Sequence, residues 1–441
     1  MELILNALKS SLRFLENPIL LLTLVAVGIV FYKKNLNIER EQEYIVGEKV
    51  NSALELTFSQ LTVGIIGGIV ASMLLFILGV TFDDNSAIET LFILSFILMF
   101  YKPRMICFSY SGAILGLGAL IISRLSKGII DYKIISINTV SLILFVAIMH
   151  LIEGIMVILD GYRGAVPTFK VNKGRIIGGF KLSRNWLVPT VLIMFSANKP
   201  LQDEIVVSNL ATKLGMLDVK ALGTMIFFAM SLYAMVGFKA KTFTLSKENK
   251  AKESGGIIIF YAIILMVLAQ LSRVNIYFEG SSLLLMPIIH EAMLSYQRYR
   301  ENNREYTYIS DDGISVLDFL PNSPLRSIGI ESGDKITSVN GFKVREERDI
   351  IRIKNEYYGI ITVELLKKNG SVELHEVNLR DNEKLHLILV PNSLDKLNKS
   401  EENKFEEVLK RLKKEIESKN SIDLINMDIR EKEIENKGDK N

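Results

Sequence analysis

A helix that crosses the roughly 30 Å hydrocarbon core of a bilayer needs about 20 mostly apolar residues, and the first 300 of these 441 residues supply one such run after another. The clearest cover residues 61–80, 88–101, 105–123, 138–159, 221–236, 255–271 and 281–296. Residues 18–32 and 186–197 extend the set, the second being short and broken by Pro189. The expectation is an α-helical polytopic membrane domain over residues 1–300 with about 8–9 spans. The first run is followed by Lys33-Lys34 with no small-residue cleavage site, so it reads as a retained anchor. Composition changes abruptly after this region. Residues 301–441 hold 24 Lys+Arg and 29 Asp+Glu, against 28 and 20 in the first 300, so net charge passes from +8 to −5. A long apolar part followed by a charged globular part excludes a simple soluble enzyme. The lone cysteine, Cys107, excludes an intramolecular disulfide framework and any multi-cysteine cluster.

Basic residues beside the spans set the orientation. Residues 160–185 carry Arg163, Lys170, Lys173, Arg175, Lys181 and Arg184, and residues 238–254 carry Lys239, Lys241, Lys247, Lys250 and Lys252. Both segments are expected in the cytoplasm, as is everything after Arg298-Tyr299-Arg300. Residues 81–86, with Asp83 and Asp84, and residues 272–280, with Arg273 as the sole basic residue, are expected outside. Residues 124–137, with Arg124, Lys127 and Lys133, fit an external loop poorly. The stretch 167–189 reads as a basic interfacial loop anchored by Trp186 and drawn to anionic lipid, or as a docking surface.

Residues 308–392 alternate strand and turn signals around one helix. A strand is expected over 313–319, a turn at Pro321-Asn322-Ser323-Pro324, a short helix over 325–328, a strand over 334–339 and a helix over 346–355. Strands 360–367 and 371–378 are joined by Asn369-Gly370, a dipeptide suited to a hairpin turn. After Pro391, Phe405, Val408, Leu409, Leu412 and Ile416 recur at helical spacing among alternating charges. Residues 393–441 therefore read as a charged amphipathic helix on a disordered tail.

Four elements occur in order within 308–392: Gly313-Ile314-Ser315-Val316, Ser323-Pro324, Gly329-Ile330-Glu331-Ser332-Gly333-Asp334-Lys335-Ile336 and Val339-Asn340-Gly341. In this the segment resembles a bacterial PDZ domain, an α+β fold. The resemblance implies that an extended peptide adds as a strand beside Gly313, Ile314, Ser315, Val316 and Leu317, facing a helix that bears Arg348, Ile351, Arg352 and Asn355. It also implies that amides of the turn Ser310-Asp311-Asp312-Gly313 hold the peptide's carboxylate. Asp311 and Asp312 disfavour that role, which raises internal-strand recognition or a groove that binds little. The segment is short at its N-terminus, which leaves a sheet edge open.

No soluble domain large enough for a serine protease precedes residue 308. An intramembrane zinc protease needs His-Glu-x-x-His, in which two histidines one turn apart bind the metal. The chain has His290-Glu291-Ala292-Met293-Leu294, with Leu294 where the second ligand belongs. Leu159-Asp160-Gly161 matches a third-ligand motif but precedes His290. The expectations are no catalytic residue, no metal and no cofactor. His150 and Glu153 share a helical face, and His290 with Glu291 precedes the end of a span; both pairs read as inter-helix hydrogen bonding or, more sharply, as proton-coupled transport. No inverted repeat supports transport.

With the 167–189 loop, His290-Glu291 and the 298–304 linker, the whole chain resembles the MinJ-like polytopic proteins of Gram-positive bacteria. That resemblance implies a cell-membrane adaptor of cell division and septum placement, linking a DivIVA-type protein to Min-type regulators, with membrane lipid and no nucleic acid as further partners. An adaptor regulating a protease or signalling protein, and a transporter carrying a regulatory PDZ domain, are the alternatives.

Overall fold

The computed structural model describes residues 18–392 apart from 48, 84–85, 126–136, 174, 197–225, 321–322, 357–358 and 380–385. The tail 393–441, with its amphipathic stretch, lies outside the described residues, as does nearly all of the 124–137 segment.

Six of the apolar runs fold as helices: α1 (Pro18–Val46), α2 (Ala53–Ile77), α3 (Glu89–Tyr101), α4 (Phe108–Leu125), α5 (Thr139–Asp160) and α6 (Lys247–Leu271). A seventh lies within α7 (Ile276–Asn302), which contains Pro287 and carries Glu279, His290 and Glu291. Among the described residues, four helices, α1, α2, α5 and α6, are long and apolar enough to cross a membrane. The expected 8–9 spans are therefore not found, and two of the apolar runs are strands.

Those two runs lie in a long antiparallel hairpin of β3 (Arg175–Ser196) and β4 (Ile226–Thr242), which are paired throughout β4's 17 residues. Short strands β1 (Thr81–Asp83) and β2 (Val166–Asn172) pair with opposite ends of β3. Every position from Leu187 to Met194 is buried, Val191 and Ile193 as well as Val188, Thr190 and Leu192, so this half of the strand shows no alternation of buried and exposed positions. Helix α2 lies flat on this strand because it presents glycine. A Cβ at Gly64 would stand 2.3 Å from the Leu187 carbonyl oxygen, and one at Gly68 would stand 2.1 Å from that of Pro189. One turn on, Ser72 Oγ accepts the Val191 N–H at 3.0 Å. Helices α5 and α6 meet in the same way, with a Cβ at Gly255 only 2.5 Å from the Gly154 carbonyl oxygen.

The sheet is tied to the helices by a buried charge. Asp160, at the end of α5, accepts from Arg184 Nε at 2.9 Å, Arg184 Nη2 at 2.6 Å and Trp186 Nε1 at 2.8 Å. Ser59 Oγ of α2 donates to the other carboxylate oxygen. Trp186 is fully buried, so it is not an interfacial anchor, and residues 167–189 form strands β2 and β3 in place of a loop.

The two ends of the helix bundle differ. Gly79, Asn138 and Arg273 line one small pocket at the end that holds the α2–β1 and α6–α7 connections. At the opposite end lie the basic segments, bonded to the α+β unit: Gly178 N–H donates to the Tyr308 carbonyl at 3.0 Å, Phe243 accepts from Thr307 N–H at 3.2 Å, and Lys247 pairs with Asp318.

That unit contains β5 (Ile314–Phe319), a 3-10 turn (Pro324–Ile328), β6 (Lys335–Val339), β7 (Phe342–Lys343), α8 (Glu347–Glu356), β8 (Gly359–Leu366), β9 (Val372–Leu379) and β10 (Leu387–Leu389). The sheet order is β10-β5-β6-β8-β9. Its own core includes Ile314, Val316, Ile336, Val339, Ile350 and Ile353. Glycines 329, 333, 341 and 370 have positive φ, as does Asn340, as their turns require. Asp334 Oδ2 accepts the Glu331 N–H at 2.7 Å, and Asn340 Oδ1 accepts the Thr362 N–H at 2.7 Å.

Candidate functional site

The expected peptide strand is β5, and the structure fills both of its edges. On one side Val316 N–H donates to the Asp334 carbonyl at 2.8 Å and its own carbonyl accepts Gly333 N–H at 2.7 Å. On the other, β10 adds antiparallel, with Leu387 opposite Phe319 and Leu389 opposite Val316, and Val390 N–H donates to the Ser315 carbonyl at 2.9 Å. The open edge expected from the short N-terminus is thus closed by the chain's own strand β10. Ile314, Ser315, Val316 and Leu317 are all buried, because the second face of β5 packs away from the unit's core: Leu317 joins Tyr308, Phe180 and Val390 in the core of the membrane part. The turn before β5 is also spoken for. Ser310 Oγ donates to the Val390 carbonyl at 2.5 Å and accepts Ser315 N–H at 3.0 Å, while Asp311 pairs with Lys335. Gly313 opens this strand with φ +150° and no room for a Cβ, which would lie 2.6 Å from the Ile336 carbonyl oxygen. Arg348, Ile351, Arg352 and Asn355 all fall on α8. Arg348 and Arg352 are exposed, with Arg352 3.7 Å from Asp349, while the side chains of Ile351 and Asn355 lie outside the described residues.

A second constellation was not anticipated. The 3-10 turn Pro103–Ile106 ends at Cys107, directly before α4, and brings its sulfur within 3.0 Å of His150 Nε2 on α5. His290 arrives from α7, one turn after Pro287. One donor atom from each of Cys107, His150 and His290 lies within 4.8 Å of the others. Both histidines are buried. Glu153 Oε2 stands 3.8 Å from His150 Nε2.

Neighbouring groups fix the rings. A carbonyl can only accept, so His150 Nδ1 donates to the Val146 carbonyl at 2.8 Å, and in the neutral ring that tautomer leaves the lone pair on Nε2. Tyr110 hydroxyl donates to Glu291 Oε1 at 2.6 Å and so accepts from His290 Nδ1 at 3.1 Å, the tautomer that in a neutral ring leaves the lone pair on Nε2. Tyr261 hydroxyl bridges Ser109 and the Met286 carbonyl, each at 2.8 Å, bracing the α4 start against α7. Beside the cluster opens a cavity of about 510 Å³ whose lining includes Lys34, Arg104, Glu153, Asn185, Lys239 and Gln297.

Asp160, the residue of the sequence motif that suggested a third metal ligand, is instead committed to Arg184, Trp186 and Ser59. Glu291 turns to Tyr110 and to Arg104 at 3.5 Å.

No family model matches the chain, and no curated protein matches it. Among solved structures, the PDZ domain of an SdrC-like protein from Listeria monocytogenes aligns with 20% of this chain and 93% of its own length. The aligned residues are 18% identical and the TM-score is 0.16.

Proposed function

We propose that the chain is a membrane-anchored adaptor that acts by binding proteins rather than by catalysis. The observation that carries this reading is the joint between its two parts: the PDZ-like unit is bonded to the basic end of the membrane part through the Ile177–Ile309 bridge, the Gly178–Tyr308 hydrogen bond and the Lys247–Asp318 ion pair. Lys and Arg accumulate on the cytoplasmic side of spans, so the unit and the C-terminus face the cytoplasm. A joint of this kind holds an interaction module against the membrane part.

In this reading a partner strand adds along Gly313–Leu317 in place of β10, facing the α8 wall of Arg348, Ile351, Arg352 and Asn355. Strand addition draws affinity from backbone hydrogen bonds and specificity from alternate side-chain pockets. Following the MinJ-like resemblance, the partners are a DivIVA-type protein and Min-type regulators of septum placement in a Gram-positive cell. The test is capture of these proteins from cells by the full chain and by a chain ending at Arg300, both purified in detergent. Capture by the full chain alone is the expected result. Equal capture by both would move binding to the membrane part, and capture of neither partner would remove the division role.

A further inference from the structure

We propose that Cys107, His150 and His290 form a zinc-binding site whose fourth position opens on the cavity beside Glu153. The inference stands on a different part of the molecule from the adaptor reading and is independent of it.

The donor set fits. Zinc takes thiolate sulfur at ~2.3 Å and imidazole nitrogen at ~2.0–2.1 Å, so tetrahedral ligand atoms sit roughly 3.3–3.6 Å apart. Cys107 Sγ and His150 Nε2 are 3.0 Å apart, and all three donor atoms lie within 4.8 Å of one another. Shifts of side-chain size bring them onto the metal. Sulfur with two imidazoles selects zinc over the hard cations calcium and magnesium, which prefer oxygen.

The surroundings fit as well. A metal-binding histidine commonly donates its other ring nitrogen to a fixed acceptor, which sets the tautomer and the ring angle. Both histidines do so, His150 to the Val146 carbonyl and His290 to the Tyr110 hydroxyl. The Tyr110 hydroxyl is in turn held by Glu291. In their neutral forms both rings therefore keep a lone pair on Nε2, and that of His150 lies 3.0 Å from the Cys107 sulfur, an arrangement that two histidines packed only to fill space do not need. The three ligands come from three elements, the start of α4, α5 and α7, so the metal would also pin these together across the bundle.

The fourth position is left to a ligand from the cavity. Glu153, 3.8 Å from His150 Nε2, stands where it can accept a hydrogen bond from a metal-bound water. The donor set is thus three protein ligands with one open place, as distinct from a closed four-ligand structural site.

Cys107 is the only cysteine in the chain, so alkylation reads one ligand directly and without mutation. Full-length protein purified in detergent is stripped with chelator, treated with zinc chloride or left metal-free, and then exposed to iodoacetamide. Zinc is expected to bind at about one ion per chain and to protect Cys107, with chelator restoring its reactivity. Cobalt in place of zinc is expected to give the absorption of a tetrahedral thiolate complex, lost in Cys107→Ser. Tyr110→Phe, which removes the group that orients His290, is expected to weaken zinc binding by about 10–100-fold. His375→Ala, in the PDZ-like unit, is expected to leave the stoichiometry unchanged. Absence of both stoichiometric zinc and protection would overturn the proposal and leave the three residues as a hydrogen-bonded cluster only. Zinc retained in both Cys107→Ala and His150→Ala would also overturn it, by placing the metal elsewhere.

Discussion

Replacing Asp160 by alanine tests how the sheet is held against the helices. Arg184 has no exposed side-chain surface and Asp160 retains 1%, so the pair is shielded from solvent. Removing the carboxylate takes both guanidinium contacts at 2.6 and 2.9 Å and the indole contact at 2.8 Å. It leaves a buried cation with only the Leu56 carbonyl at 3.3 Å and Ser59 Oγ at 3.1 Å. Breaking a buried pair from one side costs about 3–5 kcal/mol because the remaining charge is uncompensated. That corresponds to a loss of roughly two to three and a half decades in the folded-to-unfolded ratio. Denaturant unfolding in mixed micelles, followed by Trp186 fluorescence, measures it, since the single tryptophan reports the very junction that is cut. Asp160→Asn keeps acceptor geometry without charge and is expected to lose less than alanine. A double replacement, Asp160→Leu with Arg184→Met, removes both charges and is expected to recover part of the loss. A cost below about 1 kcal/mol for Asp160→Ala, typical of an exposed pair, would refute the claim that this network anchors β3.

Gly68→Val places side-chain atoms where a Cβ alone already meets the Pro189 carbonyl oxygen at 2.1 Å; overpacking of this kind costs about 1–3 kcal/mol, read in the same unfolding assay, whereas the exposed Gly256→Ala is expected to be neutral or mildly stabilising. Fixing β10 to β5 through a disulfide between Ser315→Cys and Val390→Cys, in a background with Cys107→Ala, is expected to abolish partner capture until the bond is reduced; undiminished capture would show that β5 is not the receiving strand. Burial alone would raise the Asp311 carboxyl, but the Lys335 hydrogen bond and the Asp312 N–H hold it below the usual carboxylate range. A depressed folded value means a contribution present at neutral pH and lost as pH falls below about 4, so acid unfolding of Asp311→Asn is expected to be less steep than that of the parent.

The helices α2, α5 and α6 were legible because each is a long apolar run with a polar or glycine punctuation at its ends. The hairpin was not. Residues 186–197 and 221–236 have the hydropathy of a span, and β3 is buried on both sides, so the period-two pattern that would identify a strand is absent. The available signal was Pro189, which a helix interior tolerates poorly, next to β-branched Val188, Thr190 and Val191. Length could also have told: 186–197 is too short to span as a helix. In the α+β unit the turns were legible because Gly333, Asn340 and Gly341 need positive φ, a local requirement written in local residue types. The β10 strand was not, because pairing between Leu387–Leu389 and β5 depends on a chain reversal some 70 residues long, and nothing local in 387–389 distinguishes an internal strand from a free one.

The cysteine–histidine cluster shows the same limit at the level of chemistry. A metal motif is readable when the ligands share one helix turn, as in His-Glu-x-x-His, because a fixed spacing then implies a fixed geometry. Here Leu294 breaks that spacing, and the histidine that meets His290 is His150, 140 residues earlier. Tertiary packing creates the proximity: the Gly154–Gly255 contact draws α5 against α6, and Tyr261 of α6 bridges Ser109, beside Cys107, to Met286 of α7. What the sequence did carry was the cost of each residue alone. A histidine and a glutamate one turn apart in an otherwise unbroken apolar helix are each costly to bury without a partner. Polar groups that survive in such surroundings find one another in the fold, here with His150 Nε2 3.0 Å from the Cys107 sulfur and His290 beside both.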